Sequence, residues 1–281
     1  MQIVSACIVR DLPVYSLTYR SIIEHMPGAE IHVVTRKEDF AKFKDACGPE
    51  LHLWDEADFV PDMTLGELRK MPLTGFPNGA GWYFQQFLKY AFVNVSNDDE
   101  YYLIWDADTV LLRPLEFFTP DGKPFYTTAT EHHLPYFETF EAIFGFPAKR
   151  EFSFISQHQI INKAYLRQMM ATIESRHPTS RNWAWAIMEN VRGAGSNLFS
   201  EYEIYGHYVK AVYPESFAVR DLLWTRTGGR YAGNPPKQDK LQCLGLKFAF
   251  AAFEVSDSMQ RKIFNKVRKI LHKTTEILKL N

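Results

Sequence analysis

Asp106 and Asp108 stand one residue apart at the end of an apolar run, YYLIWDADTVLLRP, that reads as a buried β-strand. An ionised carboxylate is costly to bury unless it is paired, hydrogen-bonded or bound to a metal. Side chains at i and i+2 of a strand share a face, so the spacing predicts that both carboxylates reach one ion. Two are too few to cage calcium, and the Asp/Asn and Gly of an EF-hand loop do not follow. A Mg²⁺ or Mn²⁺ ion that keeps waters and takes further oxygens from a diphosphate fits better, and it would neutralise charge on a departing diphosphate.

Other candidates surround this pair in the sequence. Gln85 and Lys89, four apart in GWYFQQFLKYAFVNV, share a helix face and could present an amide and a cation to a phosphate-bearing ligand. A half-buried helix with its polar residues in water is the plainer account. Glu201 and Glu203, in FSEYEIYG, are candidates for a carboxylate that takes the proton of an attacking hydroxyl. Ser200 and Glu203 also match an S-x-x-E capping box, in which the Glu203 side chain bonds back to the Ser200 backbone. Glu201 is then the freer of the two and the first choice. Arg10 and Asp11 follow the first strand and Arg36 ends the second, so all three are candidate nucleotide contacts, with simple solvation as the alternative. In LLWTRTGGR, Trp224, Arg226 and Arg230 suggest a lid hinged at Gly228 and Gly229, or else a surface turn.

The elements that must position these groups begin with strand–helix alternation. QIVSACIV, AEIHVVT and ELHLWDEAD read as strands, separated by the helices LPVYSLTYRSIIEHM and KEDFAKFKDAC. This βαβαβ order predicts a parallel sheet whose ligand sits beyond the carboxyl ends of the strands. No GxGxxG follows the first strand, so the usual dinucleotide fingerprint is missing. Residues 61–81, rich in Pro and Gly, read as a long loop. Beyond the acidic strand, KPFYTTAT reads as a strand, EHHLPYFETFEAIFG as a helix or ordered loop, FSFISQHQIINKAYLRQMMATIESRH as a strand running into a helix, and RNWAWAIMENV as a short helix. From about residue 256 the pattern changes. Ile263, Phe264, Val267, Ile270 and Leu271 fall three and four apart, opposite a face of lysines and arginines. A basic amphipathic helix of this kind lies on an anionic membrane surface or packs on the protein. The expected division is a domain over 1–255 and this helix over 256–281.

Composition sets the outer bounds. A chain of 281 residues, 46% hydrophobic and 23% charged, can bury a full globular core. Its 32 Lys+Arg against 33 Asp+Glu speak against nucleic acid as a partner. Three scattered cysteines suggest neither a disulfide framework nor a zinc cage, and the N-terminus lacks the basic and apolar regions of a signal peptide. A cytoplasmic location is expected, with peripheral attachment to the inner membrane face if the terminal helix binds lipid.

YLIWDADTVLLRPLEFF, coming after a βαβαβ start, resembles the DxD strand of the GT-A glycosyltransferases. GWYFQQFLK, SFISQHQIIN and FSEYEIYG are further similar to bacterial surface-polysaccharide glycosyltransferases, over roughly residues 1–255. The resemblance implies a Rossmann-like α/β fold with a mixed, mostly parallel sheet flanked by helices, and divalent-metal-dependent sugar transfer. The donor would be a nucleotide sugar, UDP-sugar first, and the acceptor a glycan or lipid-linked glycan. It implies that Asp106 approaches ribose and metal, that Asp108 chelates the metal, and that Glu201 or Glu203 is the base of an inverting transfer; a retaining transfer stays open. It places His158 in the donor and acceptor pocket, ahead of His132, His133 and His207, although an ordinary hydrogen-bonded histidine explains each. The late metal-binding His of some relatives has no counterpart here between His207 and His272. A sugar-phosphate nucleotidyltransferase and a non-catalytic, metal-dependent carbohydrate-binding protein are the alternatives.

Overall fold

A computed structural model describes residues 1–57, 59–71, 79–193 and 197–254. The expected terminal helix over 256–281, and with it His272, lies outside the described residues. In chain order the elements are β1 (Gln2–Ala6), α1 (Leu12–His25), β2 (Glu30–Thr35), α2 (Phe40–Cys47), β3 (His52–Asp55), α3 (Leu65–Leu68) and α4 (Gly79–Ala91). They continue with β4 (Tyr101–Trp105), β5 (Thr109–Leu111), β6 (Phe125–Thr127), α5 (Leu134–Phe144), β7 (His158–Asn162), α6 (Lys163–Arg176), α7 (Trp183–Asn190) and α8 (Glu201–Val212). The last are β8 (Ala218–Arg220), α9 (Gly228–Ala232), α10 (Gln238–Gly245) and β9 (Phe250–Ala252).

The central sheet has the order β3-β2-β1-β4-β7. Its first four strands run parallel and β7 runs antiparallel to β4. The sheet is therefore mixed and mostly parallel, and helices cover both faces. Period-two alternation explains how. Along β4, Tyr102 and Ile104 enter the core under α4–α8, while Leu103 and Trp105 enter the opposite core against α1 and α2. β1 divides in the same way, Val4 to one side and Ile3 to the other. Fully burying an apolar side chain of this size contributes about 1.5–3 kcal/mol, so the alternation itself fixes the strand register.

Two small ribbons are separate from the main sheet. β5 pairs antiparallel with β9, and β6 pairs parallel with β8. Val14, Val110, Ala251 and Phe253 form a third apolar cluster there with residues of α9 and α10. The chain thus crosses from the main sheet to a ribbon between Trp105 and Thr109, the stretch that carries the two aspartates.

Candidate active site

β4 stops at Trp105, one residue before the first aspartate. The Thr109 N–H bonds the Asp106 carbonyl at 3.1 Å and closes a turn through Asp106, Ala107 and Asp108. Both carboxylates line one cleft because of this turn, and strand alternation, the expected cause, plays no part. The turn is held on several sides. Asp106 N–H donates to Gln157 O at 2.9 Å, Phe253 N–H to Asp108 O at 2.8 Å, buried Thr18 Oγ1 to Ala107 O at 3.1 Å, and Ser5 Oγ to Trp105 O at 2.7 Å. Four separate segments therefore place the pair.

The cleft above it has a volume of about 650 Å³ and opens at the carboxyl end of the parallel strands. One wall comes from α4 and α8. Lys89 Nζ bonds Glu201 Oε1 at 2.6 Å and also Asp106 Oδ1, to which the Tyr202 hydroxyl donates at 2.7 Å. Burial works against the Lys89 charge, but the two carboxylates outweigh it and hold the ammonium protonated, its pKa raised. Burial likewise raises the Glu201 carboxyl, with Lys89 opposing. The Glu201 backbone is clamped as well: its N–H donates to Gln86 Oε1 at 2.9 Å, and its carbonyl accepts from the Tyr90 hydroxyl at 2.5 Å. Lys89 is thus a counter-ion between two acidic groups, not the open phosphate contact the sequence suggested. Glu201, expected to be the freer glutamate, keeps one carboxylate oxygen outside its lysine bond.

The opposite wall is looser. Among the described residues Asp108 Oδ1 meets a single side-chain donor, Thr109 Oγ1, at 3.5 Å. Burial, the charge of Asp106 and the charge of Glu254 push its pKa up to about 7, against Lys89 and with a smaller push from Asp11. Arg226 bonds Glu131 and, at 3.1 Å, Glu254. The Gln157 amide links the walls when its nitrogen faces Asp106 Oδ2 at 3.2 Å and its oxygen faces Arg226 Nη2 at 3.1 Å. Around the cleft, six carboxylates (Asp11, Asp106, Asp108, Glu131, Glu201, Glu254) face three cations, Arg10, Lys89 and Arg226. Carboxylates thus outnumber cations along the cleft wall.

The other sequence candidates separate into two groups. Arg10, Asp11 and Gln85 line the cleft, with Arg10 and Asp11 joined through two hydrogen bonds of 3.0 and 3.1 Å. Arg36 does not: it is exposed and lies 3.7 Å from Glu56 and 3.6 Å from Glu38. Glu203 is buried behind the wall, bonded to Ser153 Oγ and, at 3.3 Å, to the Phe154 N–H. The expected capping box is therefore half formed. Ser200 Oγ accepts from Glu203 N–H at 3.5 Å, but the glutamate side chain turns inward. A complete box occurs instead at Thr64 and Glu67, opening α3 inside the stretch read as a loop.

His158 is a core residue. It stacks on Trp105 with centroids 5.1 Å apart, its Nε2 lies 3.1 Å from Thr127 Oγ1, and its Nδ1 lies 2.9 Å from Ser156 O. Burial and the neighbouring Arg220 push its pKa down to about 3, so it stays neutral. His207 is enclosed by Phe137, Phe140 and Phe154, and His133 packs edge-on against Tyr136. Among the described residues no histidine lines the cleft. Arg226 does line it, but Trp224 and Arg230 do not. A Cβ on Gly228 would lie 2.7 Å from Ala252 O, so this buried glycine permits close packing of α9 on β9 rather than a hinge. Sequence reasoning missed Gln157 and Asn197, both in the left-handed region at φ 65° and 62° and both in the cleft wall. Such a conformation is costly for Gln and better tolerated by Asn, and it has no sequence signature beyond the residue types.

Among the described residues no helix is long and apolar enough to cross a membrane, and no group of three His, Cys, Asp or Glu side chains converges on a metal position. A family model, "Family of unknown function (DUF6492)", matches residues 3–220. A search of curated proteins finds no match. Among solved structures, mouse xyloside xylosyltransferase 1 in its apo form is 15% identical, with 92% of this chain and 99% of that chain covered and a TM-score of 0.53. The galactosyltransferase LgtC in complex with donor and acceptor sugar analogs is 11% identical, with 90% and 87% covered and a TM-score of 0.50. The likeness is one of fold, and the fold is GT-A.

Proposed function

The chain belongs to the DUF6492 family, a family of unknown function, and from its cleft we propose that it is a nucleotide-sugar glycosyltransferase. The observation that carries the reading is the Asp106–Asp108 turn, fixed at the carboxyl end of a GT-A sheet and lining the same cleft as Glu201. One structural neighbour is by name a xyloside xylosyltransferase, and the other is a galactosyltransferase, LgtC, crystallised with donor and acceptor sugar analogs. A UDP-sugar donor, a glycan or lipid-linked glycan acceptor and a role in bacterial surface polysaccharide synthesis are parts of the proposal. So is attachment of residues 256–281 to the inner membrane face.

The donor set suits Mg²⁺ or Mn²⁺. Among the described residues Asp108 faces the cleft nearly without partners, and it carries a raised pKa, which an adjacent cation would lower, while Asp106 Oδ2 keeps acceptor capacity beside the Gln157 amide. Asp108 would be the main protein ligand and Asp106 the second, and the bound ion supplies charge neutralisation for the diphosphate. The chain's own residues do the rest. Lys89 and Tyr202 fix the Asp106 carboxylate, while Gln86 and Tyr90 fix the Glu201 backbone. Glu201 accepts the acceptor hydroxyl's proton on Oε2. The hydroxyl oxygen then bonds the anomeric carbon, and the carbon–phosphate-oxygen bond breaks with its electron pair leaving on the diphosphate.

A second reading follows from the 2.6 Å Lys89–Glu201 contact, which occupies Oε1 and opposes the upward push of burial on the carboxyl: the transfer retains configuration, with Glu201 stabilising positive charge on the sugar. The anomeric configuration of the product, read by proton NMR, separates the two. The reading as a whole is tested by calorimetry with UDP, GDP and CMP, with and without Mn²⁺, on the wild type and Asp108→Ala. One nucleotide should bind with metal and be lost in the variant; no binding by the folded protein would remove the transferase.

A further inference from the structure

A second cavity of about 310 Å³ lies beside the main cleft and shares Glu131, Ile155 and Arg226 with it. We propose that this cavity is a separate subsite for a neutral pyranose, the acceptor end of the transferase reading on which the word acceptor rests. Its size is near the lower bound of small-molecule sites, about 300 Å³. Trp224 lines it, with its indole packed nearly parallel on Phe250, centroids 5.3 Å apart and planes at 21°. An indole fixed in this way offers a flat apolar platform, the surface that the C–H face of a sugar stacks on. Around it stand Thr128, Thr130 and Asp221, groups that accept hydrogen bonds from hydroxyls.

The charges decide which sugar. Arg226 stands between the two cavities with its guanidinium engaged by Glu131 and Glu254. Burial works against that charge and the two carboxylates restore it, so the arginine remains a balanced cation in the dividing wall. Asp221 is exposed and forms no ion pair among the described residues. The cavity therefore carries an uncompensated carboxylate and no uncompensated cation. A neutral sugar is accepted, and a uronic acid is repelled.

The test is saturation-transfer NMR on the full chain with methyl glycosides of glucose, galactose and mannose, methyl glucuronide, and UDP with Mn²⁺. At least one neutral glycoside should receive saturation. Its signal should vanish in Trp224→Ala and fall several-fold in Asp221→Asn, an exposed and conservative change, while the UDP signal is unaltered. Methyl glucuronide should respond several-fold more weakly than the best neutral glycoside. Neutral-glycoside signals that survive both substitutions, a glucuronide response equal to theirs, or no glycoside response at all would overturn the subsite. Glycoside binding without UDP binding would leave the sugar pocket standing and remove the donor reading instead.

Discussion

Of the two walls of the cleft, the one built by α4 and α8 closes its charges on one another, whereas the one built by the β4–β5 turn and the end of β9 leaves a carboxylate facing the cavity. Asp106 and Asp108 show the difference within a single turn. Asp106 accepts from Lys89 and Tyr202 and borders the Gln157 amide. Asp108 has Thr109 Oγ1 at 3.5 Å and a carboxyl pKa near 7. The closed wall is preorganised, so it spends nothing on reorientation when a ligand arrives. The open wall stores unfavourable charge that a cation would relieve. A site that binds an anion through a metal needs both kinds of wall, one to fix geometry and one to supply affinity.

Removing Lys89 breaks the contrast most severely. Lys89→Met leaves Asp106 and Glu201 facing each other in a largely buried wall, and stability in urea should fall by about 3–5 kcal/mol. A loss below about 1 kcal/mol would mean that the wall is not locked. On the open wall the effect should be on binding. Asp108→Asn should weaken metal-dependent nucleotide binding tenfold or more, by calorimetry, without loss of stability at pH 8. Its pH signature has a definite sign. The folded pKa lies above the ordinary value, so the folded state binds more protons, and Asp108 makes stability fall as pH rises from about 4 to about 7 in metal-free buffer. Urea titrations across that range should show a shallower fall in Asp108→Asn.

Gly228→Ala asks how rigid the open wall's support is. The new Cβ meets the Ala252 carbonyl and the Phe253 ring, so the variant should lose about 1–3 kcal/mol. Unchanged stability would restore the hinge. The smallest effect belongs to Arg36, which sits at the right end of β2 but outside both walls. Arg36→Ala should leave nucleotide binding unchanged and stability within about 0.5 kcal/mol.

Helices and strands were legible where periodicity was strong. The βαβαβ start, the apolar β4 and the α8 start all follow from local pattern. Local pattern misleads where a side chain has a choice of partners. Glu203 fits a capping box by spacing, yet the buried Ser153 and Phe154 N–H offer it better-enclosed bonds, and the complete box forms at Thr64 and Glu67, where one glutamate oxygen stays on Thr64 while Arg181 takes the other. The resemblance puts His158 in the ligand pocket, but an aromatic neighbourhood of Trp105, Phe117 and Phe250 absorbs it into the core. The glycines of TRTGGR suggested motion, and the contact with β9 makes at least Gly228 a packing device.

By itself the sequence determined the sheet and the chemical inventory of the site: alternation along β1 and β4 selects two buried faces, and an acidic pair at a strand end has few uses apart from binding a cation. Which groups meet was decided by tertiary structure. Lys89 and Glu201 lie 112 residues apart, and nothing local in either segment specifies their 2.6 Å contact. Gln157 reaches Asp106 and Arg226 from a left-handed backbone that its own residue type does not favour. Burial is a property of the assembled fold, and burial gives Asp108 its raised pKa and Lys89 its two partners.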